Sequence, residues 1–267
     1  MEYNLKEINT YAMQWIKEAG ENIRASFPKT LNVTAKSNPN DLVTDIDQET
    51  EQYFIEKIKG TFSNHRILGE EGYGDEVKDL SGVVWVIDPI DGTMNFVHQQ
   101  RNFAISIGIY IDGEGVIGLI YDVVHDELYH CMKGNGVYLN ENAIPKLSTA
   151  KVNEAIVALN ATWVAPNKRI NHEMLIPLIK DVRGTRSYGS AAMEMVYVAT
   201  GRIDAYMTPR LAPWDFAAGV IMIRELGGVA TTLKGEELDM LKENSLFVSK
   251  PGLHGDILGN YLKDGKW

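Results

Sequence analysis

Cysteine is almost absent from this 267-residue chain, and the single Cys131 allows neither an intrachain disulfide framework nor a thiolate cluster for zinc or iron–sulfur. That usage fits a reducing compartment, the cytoplasm. No apolar run approaches the ~18–20 residues needed to cross a bilayer, and runs such as 103–111 are strand-length. The opening MEYNLKEINT lacks the basic-then-apolar order of a secretory signal. Positive charge is in deficit, with 26 Lys and Arg against 36 Asp and Glu and a formal net charge of −10. That balance disfavours nucleic acid or an anionic membrane as the partner. The six histidines show no HExxH or comparable ligand spacing and read as surface or hydrogen-bonded residues. No repeat of about 20–50 residues is visible, so Trp214-Asp215 does not mark a propeller blade. The expectation is a soluble, cytoplasmic protein.

What is present is globular material, 45% hydrophobic and 23% charged. The length fits one large domain or two smaller ones at about 150 residues each, and such a chain buries roughly 73–75% of its unfolded surface. Leu5, Ile8, Ala12, Trp15, Ile16, Ala19 and Ile23 recur at helical spacing, predicting a helix over 3–26 that Pro28 ends. A polar stretch over 29–40 precedes a second helix from Thr44 to Lys59, with Asp45 and Asp47 at its positive end and Gly60 as its stop. Strands are predicted at 66–68 and 83–87, then hairpins pairing 103–111 with 116–123 and 127–133 with 137–140. From Ala155 strands (155–159, 203–207, 229–233, 246–249) alternate with helices (170–180, 190–200, 214–226, 253–262). The pattern predicts an α+β half, residues 1–148, followed by an α/β half, residues 149–267.

The densest chemical signal runs from Val83 to Phe96. A β-branched run delivers the chain into Asp88, Pro89 blocks further ladder pairing, and Asp91-Gly92-Thr93 marks a tight turn. Two carboxylates three residues apart, with the Ile90 carbonyl between them, are hard oxygen donors suited to Mg²⁺. From Gly92 onward, free backbone N–H groups can face a phosphate. Asp-Pro and Asp-Gly are equally ordinary turn dipeptides. Gly69-Glu70-Glu71, after an apolar strand, reads as a solvated strand end or as carboxylates at the same edge as Asp88. Asp215 reads as a helix cap or as a metal ligand beside an apolar wall, and the segment Asp41 to Asp47 reads as a cap. Four separate segments thus supply carboxylates.

The sequence here resembles the inositol monophosphatase family, magnesium-dependent and lithium-sensitive phosphatases. Asp88-Pro-Ile-Asp91-Gly-Thr93-Met-Asn95-Phe96 matches the family's first signature, with Met94 where threonine is usual. Trp214-Asp215-Phe216-Ala217-Ala218-Gly219, with Glu225-Leu-Gly227-Gly228 downstream, matches the second. Gly69-Glu70-Glu71, the Asp41, Thr44 and Asp47 spacing, Lys36-Ser37 and the stretch from Gly184 to Ala192 fall in the family's order. The resemblance implies a layered αβαβα sandwich of the sugar-phosphatase type, with the active site where the two halves meet, and a homodimer. It implies one Mg²⁺ on Glu70, Asp88 and the Ile90 carbonyl, a second on Asp88, Asp91 and Asp215, and a weaker third near Glu70. Thr93 and Asp47 would orient and activate the attacking water. Gly92 and Thr93 would hold the phosphate, while Gly189, Ser190 and Ala191 would line the substrate pocket. Cys131 is not needed as a nucleophile, since attack by water requires no covalent enzyme intermediate.

The implied substrate is a small phosphorylated metabolite, inositol 1-phosphate first. Many inositol-specific members carry a glutamate seven residues before the second-signature aspartate, and Thr208 stands there instead. Arg210 nearby raises fructose 1,6-bisphosphate or the 2′-phosphate of NADP as alternatives, and Lys168-Arg169, Arg183 and Arg186 could serve a second phosphate. A non-catalytic regulator on the same fold is the rival from another class, disfavoured because every ligand position is filled. Six of the 36 acids (Asp47, Glu70, Glu71, Asp88, Asp91, Asp215) belong to the expected site, so much of the net negative charge is concentrated there.

Overall fold

The computed structural model describes residues 3–28, 31–35 and 42–263. Lys36, Ser37 and Asp41, and most of the polar stretch over 29–40, lie outside those residues. Helix α1 (Leu5–Ser26) begins at Asn4, whose side chain accepts the Glu7 N–H, and buries the stripe from Ile8 to Ile23. A small hairpin, β1 (Val33–Ala35) with β2 (Leu42–Thr44), then leads into α2 (Asp45–Thr61). The polar composition of 29–40 hid that hairpin. Gly60 does not stop α2; the helix closes at Phe62, which stacks on His65 and packs edge-on against Tyr11 and Trp15.

Next come β3 (Arg66–Gly69), β4 (Val83–Asp91), the short α3 (Thr93–Gln99), β5 (Ala104–Ile111), β6 (Glu114–Asp122), β7 (Glu127–Met132), β8 (Val137–Leu139) and β9 (Asn142–Ile144). These seven strands form one sheet in chain order, with β3 parallel to β4 and the remaining pairs antiparallel. The second half supplies β10 (Ile156–Ala158), α4 (Leu175–Asp181), β11 (Gly184–Arg186), α5 (Ala191–Ala199), β12 (Ala205–Leu211), α6 (Pro213–Glu225), β13 (Val229–Thr231), β14 (Asn244–Ser249) and α7 (Leu253–Asn260). Its sheet runs β11-β10-β12-β14-β13, parallel on the β10 side but antiparallel at β14. The predicted helix over 170–180 is a 3₁₀ turn at His172–Met174 followed by α4. Among the described residues no helix is long and apolar enough to cross a membrane.

Three apolar clusters define the layers. Helices α1 and α2 bury their stripes against one face of the seven-stranded sheet through Trp15, Phe54 and Trp85. Helices α5 and α6 fill the space between the two sheets, joining Val84 and Ile120 to Tyr206 and Val248. The outer face of the five-stranded sheet is covered by α4 and α7 through Leu178 and Ile257. The order is therefore αβαβα, as the resemblance implies. Helix α6 sits deep because glycines admit it: a Cβ on Gly108 would lie 3.0 Å from the Ala218 amide nitrogen, and one on Gly118 2.7 Å from the Ala218 carbonyl oxygen.

Candidate active site

Strand β4 is buried along its whole length and delivers Asp88 and Asp91 at its C-terminal end. In a regular strand, residues three apart point to opposite faces. Here Asp88 pairs with Ser106 and Asp91 with Ala104, so β4 carries one residue more than β5 and bulges at Pro89 and Ile90. The extra residue cancels the alternation and lets both carboxylates converge. Pro89 therefore does not end pairing, contrary to the sequence expectation; it occupies the bulge, where no ladder donor is required.

Asp215 arrives from the other half, at the third position of α6. Its Oδ2 accepts the Ala212 N–H at 2.8 Å, so it caps the helix and also joins the cluster. Carboxylate oxygens of Asp88, Asp91 and Asp215 all lie within 4.8 Å of one another. Asp88 is 1% exposed, and burial together with the charges of Glu70, Asp91 and Asp215 pushes its pKa well above the carboxylate range. Burial first, then Asp91 and Glu70, does the same to Asp215. Asp91 is raised to about 6 by burial, although the Ser190 hydroxyl and the Ala192 N–H at 2.7 Å oppose the shift. Three converging oxygen donors that repel one another when ionised, with no sulfur or imidazole among them, fit a hard divalent cation such as Mg²⁺. Glu70, just after β3, hydrogen-bonds Asp88, and its backbone N–H reaches the Ile87 carbonyl at 3.3 Å.

Asp47 is fully buried at the start of α2, where its Oδ2 accepts the Thr44 N–H at 2.9 Å and the Thr44 hydroxyl at 2.5 Å. The other oxygen faces Thr93: Thr93 Oγ1 lies 3.1 Å from Asp47 Oδ1 and 3.1 Å from the Ile90 carbonyl. Burial raises Asp47 to about 6. Gly92 precedes α3 with φ +96°, and a Cβ there would lie 3.1 Å from Ser190 and 3.2 Å from the Asn102 carbonyl. Glycine is what lets this turn close against α5.

A cavity of about 250 Å³ opens beside the aspartates, lined by Asp91, Gly189, Ser190, Ala191, Thr208 and Asp215 among the residues named from the sequence. Arg210 is not brought in: it is exposed on β12, with Nε 4.0 Å from Glu243. Arg169 faces the same glutamate at 3.8 Å, and Arg186 donates to the Thr185 carbonyl at 2.7 Å, so neither lines the cavity. His65 is structural, its Nδ1 accepting the Trp85 indole N–H at 3.1 Å.

Sequence reasoning passed over several residues. Glu51, fully buried, accepts the Glu71 and Tyr73 N–H groups at 2.7 and 2.9 Å and so fixes the loop carrying Glu70. It stands one helical turn after Asp47, a spacing that could have shown it. Asn95 Nδ2 donates to the Asn102 and Tyr188 carbonyls at 2.8 and 2.7 Å, tying α3 to the loop before α5. Asn160, Trp163, Glu194 and Tyr206 line the cavity without any local motif.

The model of the inositol monophosphatase family matches residues 4–263. The inositol-1-monophosphatase of Bacillus subtilis is 59% identical over 97% of this chain and 98% of its own length. The structure of inositol monophosphate-bound SaIMPase-II superposes with a TM-score of 0.87 at 43% identity, covering 96% of this chain and 94% of that one. An IMPase/NADP phosphatase complexed with Mg²⁺ and phosphate gives 0.89 at 26% identity, covering 96% and 95%. Because the match runs through both sheets and not only through the aspartate segments, the chain belongs to the inositol monophosphatase family.

Proposed function

We propose that this protein is a magnesium-dependent phosphomonoester hydrolase acting on inositol 1-phosphate, as a cytoplasmic homodimer. The observation that carries the reading is the buried convergence of Asp88, Asp91 and Asp215 next to the Thr93–Asp47 pair. Glu70, Asp88 and the Ile90 carbonyl would hold one Mg²⁺, and Asp88, Asp91 and Asp215 a second, with a third, weaker one near Glu70. When bound, the ions supply charge neutralisation on the phosphate and a strong nucleophile at neutral pH. The chain's own part is positional. Thr93 Oγ1 has one proton and two acceptors at 3.1 Å, so its lone pairs can accept from an attacking water. Asp47, anchored by Thr44, can take the proton that Thr93 passes on. Gly92 and Thr93 would present backbone N–H groups to the phosphate, and Gly189 to Ala191 would meet the alcohol portion. As the new P–O bond forms, the ester P–O bond breaks and the leaving oxygen takes a proton from water to depart as the alcohol, with no side chain phosphorylated.

The 59% identity to an inositol-1-monophosphatase supports that substrate. The likeness to an IMPase/NADP phosphatase brings NADP 2′-phosphate as a second reading, with fructose 1,6-bisphosphate beside it. The filled ligand positions argue against a non-catalytic regulator. Phosphate release from inositol 1-phosphate, NADP and fructose 1,6-bisphosphate, each with Mg²⁺, with chelator and with added Li⁺, tests the reading. Mg²⁺-dependent, Li⁺-inhibited turnover that is fastest on inositol 1-phosphate is expected. Turnover that persists under chelation would overturn it.

A further inference from the structure

The cavity beside the aspartates contains a further carboxylate, set apart from the metal-facing acids. Glu194, on the first turn of α5, is 4% exposed, and its Oε1 accepts the Tyr188 N–H at 2.7 Å and the Gly189 N–H at 3.3 Å. Its other oxygen makes no hydrogen bond within the described protein, and the residue lines the cavity. That oxygen is not among the buried atoms left without a partner, so it is open to the cavity, where water can meet it. A substrate hydroxyl entering the cavity can take the place of that water.

The rest of the lining has the same character. Ser187, Tyr206 and Thr208 offer hydroxyls, Asn160 an amide and Trp163 an apolar face. Among the described residues no lysine or arginine lines the space, so a second phosphate placed there would meet a carboxyl group and no cation. The volume of about 250 Å³ lies below the roughly 300–1,000 Å³ of drug-sized ligand pockets and suits a single ring better than a dinucleotide. Thr208, where the sequence shows no acid, forms part of the same lining, and the carboxylate comes instead from α5.

We infer that Glu194 is a specificity-determining residue that binds a ring hydroxyl of a polyol monophosphate and selects against substrates carrying a second phosphate. This rests on the phosphatase reading above and adds the chemistry by which the alcohol portion is chosen. Two ring substrates separate the ideas: inositol 1-phosphate and cyclohexyl phosphate, which has the ring without the hydroxyls. The wild type is expected to favour the former at least tenfold in kcat/KM, mainly through KM. Glu194→Gln, which keeps an oxygen for the Tyr188 and Gly189 amides, is expected to reduce that preference to within about threefold. Relative turnover of fructose 1,6-bisphosphate should rise. Glu194→Asp, which withdraws the carboxylate by one methylene, should lose the hydroxyl preference yet still discriminate against the bisphosphate. Equal losses on both ring substrates in a folded variant would show Glu194 to be only a cap for the 188–189 loop, and would overturn the inference. Failure of the wild type to hydrolyse either ring substrate with Mg²⁺ would instead overturn the phosphatase reading itself.

Discussion

The two walls of the cavity are built differently. The metal-facing wall comes from the ends of regular elements: the β4 bulge, the first turn of α2 and the first turn of α6. Each of its acids is held by backbone or hydroxyl donors, as Asp47 is by Thr44 and Asp91 by Ala192. The opposite wall comes from a 3₁₀ turn at Ala161–Val164, the loop before α5 with that helix's first turn, and the irregular end of β12. Rigid placement suits the chemistry common to all phosphate monoesters, and the irregular wall suits the part of the substrate that varies. Hydrolytic power and substrate choice should therefore be separable by mutation.

The largest effect expected lies on the metal-facing wall. Asp88→Asn should lower kcat/KM by on the order of 10³-fold or more, since it touches the several kcal/mol that metal assistance supplies. The same change should raise the melting temperature of the chelated protein by a few degrees, because it removes a buried carboxyl whose ionisation Glu70, Asp91 and Asp215 oppose. A melt with and without Mg²⁺ checks both halves: gain without metal, little further gain with it. Thr93→Val should cost about 10²-fold, in kcat more than KM, by removing the hydroxyl that links water to Asp47. A loss confined to KM would break that assignment.

Stability against pH gives a smaller and opposite-looking signal. Asp47 and Asp91 are raised to about 6 and Glu194 to about 7, each chiefly by burial. The folded state then binds more protons than the unfolded one between the ordinary carboxylate range and those values. The chelated protein should gain stability as pH falls from about 8 to about 5.5, by up to roughly 1.4 kcal/mol per pH unit for each proton of difference. Mg²⁺ should flatten or reverse the trend, which denaturant melts across that range would read. The smallest effect is expected at Arg210: Arg210→Ala should change kcat/KM on inositol 1-phosphate and on fructose 1,6-bisphosphate by less than about twofold, because its side chain lies outside the cavity beside Glu243. A selective loss on the bisphosphate would blur the proposed division between walls.

The same division explains what could be read from the sequence. Asp88, Asp91 and Asp215 stood out because strand exits and helix starts have strong local signatures, and the wall they form is made of such places. The α1 stripe and both central hairpins were legible for the same reason, periodicity. The β4 bulge was not, because Pro89 reads as an end of pairing unless the register of β5 is known. Glu194 was hidden inside an apolar helix start, where only the packing of α5 against the loop at Tyr188 gives its carboxylate a direction. Arg210 failed in the other direction: its charge was visible, but β12 carries it to the surface.

The close seating of α6 on Gly108 and Gly118 has a consequence for the choice of ion. Asp215 lies two and three residues before Ala217 and Ala218, the residues that press on those glycines, so the depth of the helix in the core sets how near Asp215 comes to Asp88 and Asp91. Mg²⁺ takes oxygen at about 2.0–2.1 Å and Ca²⁺ at 2.3–2.6 Å. The size of cation the site prefers is thus gauged by two hydrogen atoms on β5 and β6, strands that carry none of its three aspartates.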